Sequence, residues 1–290
     1  MKTVLKLSFI FFTVLCFSTI NAQVAEEVIT ESTVPAEDIY IDDIVPKRLL
    51  STSRVLPYEP VREADIAWEK RIWRLIDTRE KMNLVWRAEE RPLFNVFKEL
   101  IQNGDITVFK NEDFKEALTY QEVEDKLYSV DTISVFDYDT YEEKIQVVKN
   151  TKDWRNINRY RIKEIWFFDE EASMLKQRII GIAPIMEEVI AEGAAPIVYA
   201  LFWVYYPEAR DYLAKEQVIS NNNDVAPMTW QDLFDNRYFS SYIYKKTNVL
   251  NYRVEDYFDP ASDRLGFDIL LTSDKIKNEL FNFEHDLWTY

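Results

Sequence analysis

The 290-residue chain contains one histidine, one cysteine and four glycines. A single imidazole cannot supply both a His-based nucleophile triad and a His/Cys zinc site, and no thiol partner is available to help it. Cys16 lies in a segment read below as a removable leader, so the remaining chain has no thiol for disulfide or redox chemistry. Gly104, Gly181, Gly193 and Gly266 stand far apart, which excludes a G-x-G-x-x-G turn or a P-loop. Positive charge is short as well: 35 Lys and Arg face 51 Asp and Glu, for a formal charge of −16. A general nucleic-acid binder would show a basic footprint, and broad docking on anionic lipid is equally disfavoured.

Apolar and aromatic residues are plentiful. Hydrophobic residues make up 47% and aromatics 15%, with 8 Trp, 17 Tyr and 18 Phe. That is enough to build a real core and to exclude disorder of the whole chain. Large amphipathic rings also favour protein–protein interfaces.

Residues 1–22 read as a secretory signal peptide: Lys2 and Lys6, an apolar run from Leu7 to Ile20, and a small-residue cleavage site ending at Ala22. The run is short for a membrane span of about 20 residues, and no basic stop-transfer cluster follows it. Removing the two lysines moves the formal charge from −16 to about −18. No later stretch reaches membrane-spanning length without charge, so no transmembrane segment is expected in the mature chain.

Residues 23–56 read as an acidic extended arm. Its first part, 23–46, carries Glu26, Glu27, Glu31, Glu37, Asp38, Asp42 and Asp43 and no Lys or Arg. The alternative is a docking segment that uses the apolar end from Ile39 to Val45. The charge then reverses, with eleven basic against eight acidic residues in 47–92. Within that block Trp68, Ile72, Leu75 and Ile76 fall at i, i+4, i+7 and i+8, which predicts a helix over 65–81. Lys70, Arg71 and Arg74 would form a basic ridge opposite that stripe. The plain reading is a core helix with a solvated face; the sharper one is an interface helix whose arginines meet a partner's carboxylates.

Further along, Pro92 and Gly104 bracket an expected helix over 92–103. A short strand is expected at 106–110, a helix at 113–128, and two β-prone runs at 133–136 and 145–148. The clearest β signal is a hairpin: 160–168 alternates, 169–173 breaks, and 174–185 returns. The uncharged run 197–206 predicts one strand covered on both faces. A helix over 208–218, a capped helix over 229–235, a strand over 238–245 and a closing helix over 273–283 complete the reading. This order predicts an α+β fold: one domain over 57–290, a central antiparallel sheet, flanking helices and an extended N-terminal arm.

Catalysis without His or Cys would rest on carboxylates. Glu164 and Asp169 are the candidates for a glycan-hydrolysing pair, but such a pair needs a separation of roughly 5–10 Å that sequence does not give. Among so many acids a chance pair is nearly certain, so no catalytic, cofactor or metal residue is assigned. Asn221–Asp224 and Asp137–Asp139 lack the central glycine of a calcium loop. His285, between Glu284 and Asp286, forms no constellation. Leu287, Trp288 and Tyr290 are unusually apolar for a terminus, and dock either on their own domain or on a neighbour.

Several stretches together resemble the GldN/PorN family of the type IX secretion and gliding-motility machinery of Bacteroidetes. They are Trp68–Asp77 with Arg79–Asn83, Ile162–Asp169, Arg178–Pro184, Leu201–Pro207 with Ala209-Arg210, Tyr238–Tyr244 and Glu284–Trp288. The resemblance implies a periplasmic, non-enzymatic structural subunit at the inner face of the outer membrane. It implies multi-copy rings with a GldK/PorK-type outer-membrane lipoprotein, linked to a motor through a GldM/PorM-type subunit, in a route that exports proteins. A periplasmic carboxylate glycan hydrolase, or a glycan- or peptide-binding module, is the alternative. Arg71, Trp73, Arg74 and Trp288 are the expected partner contacts.

Overall fold

A computed structural model of the chain describes residues 55–137, 142–151, 154–188, 197–219 and 228–287. Residues 1–54, on which the expected leader and nearly all of the expected acidic arm fall, the 220–224 stretch, Asp139 and Trp288 lie outside the described residues. In chain order the first half holds β1 (Ile66–Asp77), α1 (Leu93–Asn103), β2 (Val108–Phe109), β3 (Ala117–Leu118), α2 (Tyr120–Leu127), β4 (Tyr128–Asp137) and β5 (Glu142–Thr151). The second half holds β6 (Arg159–Asp169), β7 (Met174–Glu188), β8 (Ile197–Ala200), β9 (Trp203–Tyr205) and α3 (Tyr206–Leu213). Then follow β10 (Gln217–Val218), β11 (Met228–Thr229), α4 (Trp230–Asp235), β12 (Tyr242–Lys246) and α5 (Leu265–Asp286).

The fold is α+β. One large antiparallel sheet runs β12-β1-β6-β7-β9-β2-β3, with β8 also pairing on β7. β4–β5 and β10–β11 form separate two-stranded ladders. The expected hairpin at 160–185 is β6–β7, paired from Arg159↔Ile185 to Asp169↔Met174 with one bulge after Lys163.

The segment expected as a helix over 65–81 is instead β1, inside the sheet between β12 and β6. Its first half alternates between half-buried and exposed residues, as a strand with one covered face must. Ile72 to Ile76 are then buried in succession, because both faces of the sheet are covered there. Five buried residues in a row mimic the i, i+3, i+4 spacing of a helical stripe. Three Ile and two Trp in twelve residues favour the pleated alternative.

Other boundaries shift as well. The expected helix over 113–128 is limited to α2. Before it, Phe114 adopts φ +55 in a tight turn, β3 follows, and Thr119 with Glu122 closes a capping box. The run 197–206 is two strands, because the backbone breaks at Leu201 and Phe202 to bury both side chains. Ile197, Val198 and Tyr205 are exposed, so that run is not covered on both faces along its length. The helix over 208–218 ends at Leu213, leaving 217–218 to pair with β11. Two helix limits follow the sequence closely. Gly104 ends α1 in the left-handed region at φ +76, where Leu100 and Ile101 carbonyls accept the last bonds. Thr229 caps α4 reciprocally with Asp232.

Register fixes which residues share a face. Ile76 lies opposite Tyr160, and Ile162, Ile182, Val204 and Val108 lie opposite one another across four strands. These residues join Trp86, Phe97, Trp230 and Phe234 in the main core under α1, α3 and α4. Ile72 sits on that same face, where Ile243, Val254, Ile276 and Leu280 form a second core beneath α5. The opposite face carries Trp73, Ala183 and Trp203.

Candidate functional site

Arg74 and Glu164 lie on one face of the sheet, between the two cores. Glu164 is fully buried and Arg74 is 7% exposed. Arg74 Nε donates to Glu164 Oε2 at 3.1 Å, Trp166 Nε1 donates to the same oxygen at 2.9 Å, and Arg237 Nη2 forms an ion pair with it at 2.8 Å. Arg237 reaches the carboxylate from a left-handed residue, φ +56, just after α4. Burial alone would raise the Glu164 carboxyl; the Arg237 and Arg74 guanidiniums overcome it and hold the group below the usual carboxylate range. Burial lowers Arg74, and Glu164 opposes that shift.

On the other face Trp73 is buried beneath two ammonium groups. Lys245 Nζ stands 4.5 Å and Lys163 Nζ 5.9 Å from its ring centroid, within cation–π range. The loop before β3 closes this cluster: Lys163 Nζ donates to the Glu112 carbonyl at 2.6 Å, and Lys245 pairs with the Glu112 carboxylate at 3.4 Å. Burial lowers the Lys163 ammonium, while Glu112 pulls it upward. Phe114 from the same loop lies over Gly181, where an added Cβ would meet its ring at 2.5 Å and Trp203 at 3.3 Å. Gly181→Ala is expected to lift this loop and cost about 1–3 kcal/mol in urea unfolding, the range for overpacked sites.

The strand therefore separates the residues expected to act together. Arg71 and Arg74 are three apart, which places them on one side of a helix but on opposite faces of a strand. Arg71 is exposed, with Glu69 at 3.6 Å and its backbone bonded to Thr247. Trp73 and Arg74 are covered by the chain itself. Trp288 lies outside the described residues.

Glu164 and Asp169 do not make a hydrolytic pair. Five residues along one strand separate them by roughly 16 Å and place them on opposite faces. Asp169 is held by Lys176 at 2.8 Å and by the Glu171 and Ala172 amides, and its carboxyl is lowered by the Lys176 hydrogen bond first. His285 is an exposed residue near the end of α5, with Asp286 at 3.9 Å. Both polar stretches considered for calcium lie wholly or partly outside the described residues. Among the described residues no group of three or more His, Cys, Asp and Glu is placed to hold a metal ion. No helix among them is long and apolar enough to cross a membrane.

At the end of β1, Asp77 takes two hydrogen bonds from the Arg79 side chain and faces Arg159 at 3.5 Å. The Arg79 hydrogen bond, against the cost of burial, pulls its carboxyl down to about 2. A lowered carboxyl stabilises the fold above its unfolded pKa, and that contribution is lost as pH falls through the folded value. Stability is thus expected to fall as pH drops from about 4 toward 2, and the fall should be shallower in Asp77→Asn. Chemical denaturation across that window measures it.

A cleft not anticipated from the sequence lies beside α3. It has a volume of about 560 Å³ and is lined by Val55–Tyr58, Pro207, Arg210, Asp211 and Lys215. Arg210 lies 3.8 Å from the Tyr58 ring centroid and pairs with Asp235 at 3.0 Å. Tyr206 donates to the same carboxylate at 3.0 Å, and burial raises its hydroxyl well above the ordinary tyrosine value. The only sequence signal was an arginine one turn after Pro207, which does not reveal that the chain at 55–58 crosses it.

The profile of one protein family, described as "Gliding motility associated protein GldN", matches residues 61–289. No curated protein matches the chain.

Proposed function

The chain belongs to the GldN family of gliding-motility-associated proteins, and on that premise we propose that it is a non-enzymatic structural subunit of the type IX secretion and gliding-motility machinery. In this reading it is exported to the periplasm. There it assembles in many copies with a GldK/PorK-type outer-membrane lipoprotein, forming a ring at the inner face of the outer membrane. A GldM/PorM-type subunit connects the ring to the motor. The family match over residues 61–289 carries the proposal. The geometry supports it in one respect: the carboxylates best suited by sequence to catalysis are committed to ion pairs inside the fold.

Electron micrographs of the chain co-expressed with its lipoprotein should contain ring-shaped assemblies; monomers alone would overturn the reading. Arg71 remains the accessible member of the proposed β1 contact, its side chain 54% exposed. Arg71→Glu is expected to weaken lipoprotein capture by roughly tenfold, the scale of a modest interface contact, with an unchanged circular dichroism spectrum. Undiminished capture in a pull-down removes Arg71 from the interface. Arg74→Glu is unsuitable for this test, because it would bury a second carboxylate against Glu164.

A further inference from the structure

α5 has two apolar faces. Ser273, Ile276 and Leu280 are buried against the sheet, and Trp68 stacks on Phe283 at 4.6 Å. On the far side Phe267, Leu270, Leu271 and Phe281 are 57%, 52%, 44% and 66% exposed. A helix that packs on only one side needs one stripe. Four large apolar side chains on the other side of a 22-residue helix mark an interaction surface.

The spacing identifies what fits there. Residues 267, 271, 274, 278, 281 and 285 alternate in steps of four and three, the a/d pattern of a helix that packs against another helix. Their identities are Phe, Leu, Asp, Asn, Phe and His, with the polar residues Asp274 and Asn278 at the centre. We propose that this face pairs antiparallel with α5 of a second copy of the chain, about a two-fold axis near Ile276.

In that register Leu271 meets Phe281 of the second copy, and Phe281 meets its Leu271. Asp274 accepts a hydrogen bond from Asn278 of the second copy and has that copy's Lys277 alongside. Phe267 lies against His285 at each end. A slip of one heptad would set Phe or Leu against Asp or Asn, desolvating a carboxylate or amide without a partner. The central polar pair therefore selects the register, as buried polar residues do in coiled coils. Such a contact is self-complementary and closes on itself. It joins subunits in pairs, in addition to whatever contact builds the ring proposed above.

The test uses the full chain with Cys16→Ser, which removes its only cysteine. Leu271→Cys and Phe281→Cys chains, co-expressed and oxidised, are expected to give a disulfide-linked dimer on a non-reducing gel. Each variant alone is expected to give none, since like positions lie ten residues apart along the axes, about 15 Å. In sedimentation experiments, Leu271→Asp should weaken self-association on the order of 100-fold, since each dimer loses two central contacts. Its circular dichroism spectrum should be unchanged. A cross-linked dimer from either single variant alone overturns the antiparallel register. A chain that sediments as a monomer at all concentrations, or self-association untouched by Leu271→Asp, overturns the pairing.

Discussion

Glu164→Gln is expected to lower folding stability by about 3–5 kcal/mol, the cost of breaking a buried ion pair from one side. The change is nearly isosteric, so it isolates the charge. Two guanidiniums, Arg74 at 3.1 Å and Arg237 at 2.8 Å, would lose their counter-charge at a fully buried carboxylate; Arg74 is nearly as buried, and the Arg237 side chain is 23% exposed. In a domain of this size, that loss corresponds to a fall in Tm of roughly 6–20 °C. Guanidinium or thermal unfolding measures it. The partner experiment separates charge from packing: Arg74→Met and Arg237→Met together, added to Glu164→Leu, should recover a large part of the loss, because replacing a buried ionic cluster with apolar groups is often neutral or better. If Glu164→Gln unfolds like the parent chain, the buried cluster contributes nothing to stability and Glu164 is free for another role. The same variant bears on the hydrolase alternative. An enzyme residue can be neutralised with activity lost and stability kept, whereas Glu164 is expected to show the reverse.

The place of Glu164 also shows how far the sequence could be read. The β6–β7 hairpin was legible because its strands are neighbours in the chain, 160–168 alternates, and the 169–173 break separates it from the returning run. α1 was legible from Pro92 and Gly104, which act through local backbone chemistry. β1 was not, because its partners are distant. Ile72 pairs with Glu164 on one side and Lys246 on the other, so no neighbouring segment completes a hairpin with β1, and its Ile and Trp content was the local strand signal. The buried run from Ile72 to Ile76 then supplied a false helical period. One error of period separated the expected site into two. Arg71 stays at the surface, while Arg74 turns inward to a carboxylate ninety residues away. Arg237 could not have been assigned to that cluster at all, since its role depends on a positive φ after a six-residue helix. The apolar face of α5 was missed for a related reason. The expected helix over 273–283 omits Phe267, Leu270 and Leu271, which begin the outward stripe in the longer helix from Leu265 to Asp286.

Trp86→Ala is expected to cost about 3–5 kcal/mol, as for truncation of a large buried aromatic side chain. Trp86 is 1% exposed and has no strand or α-helix of its own; it sits in the 3₁₀ segment Lys81–Arg87 between β1 and α1. Asn83 fixes that segment by donating to the Asp77 and Ser240 carbonyls at 2.8 and 2.9 Å while its own oxygen accepts from the Ser240 amide. The indole then lies among Tyr160, Phe234, Trp230 and Phe239 at centroid distances of 5.0, 5.3, 5.7 and 6.2 Å. These rings come from β6, α4 and the loop after it, so removing the indole opens a cavity where the sheet and its helices meet. Trp86→Phe should cost less than about 1.5 kcal/mol, since most of the volume stays. It also removes an indole N–H that has no hydrogen-bond partner among the described residues. Unfolding curves for the two variants thus separate lost volume from lost polarity. A small domain holds only about 5–15 kcal/mol in reserve, so the alanine variant should also fall in abundance in the cell. A loss of assembly in Trp86→Ala that Trp86→Phe does not share would arise from the core, since the indole is enclosed by its neighbours.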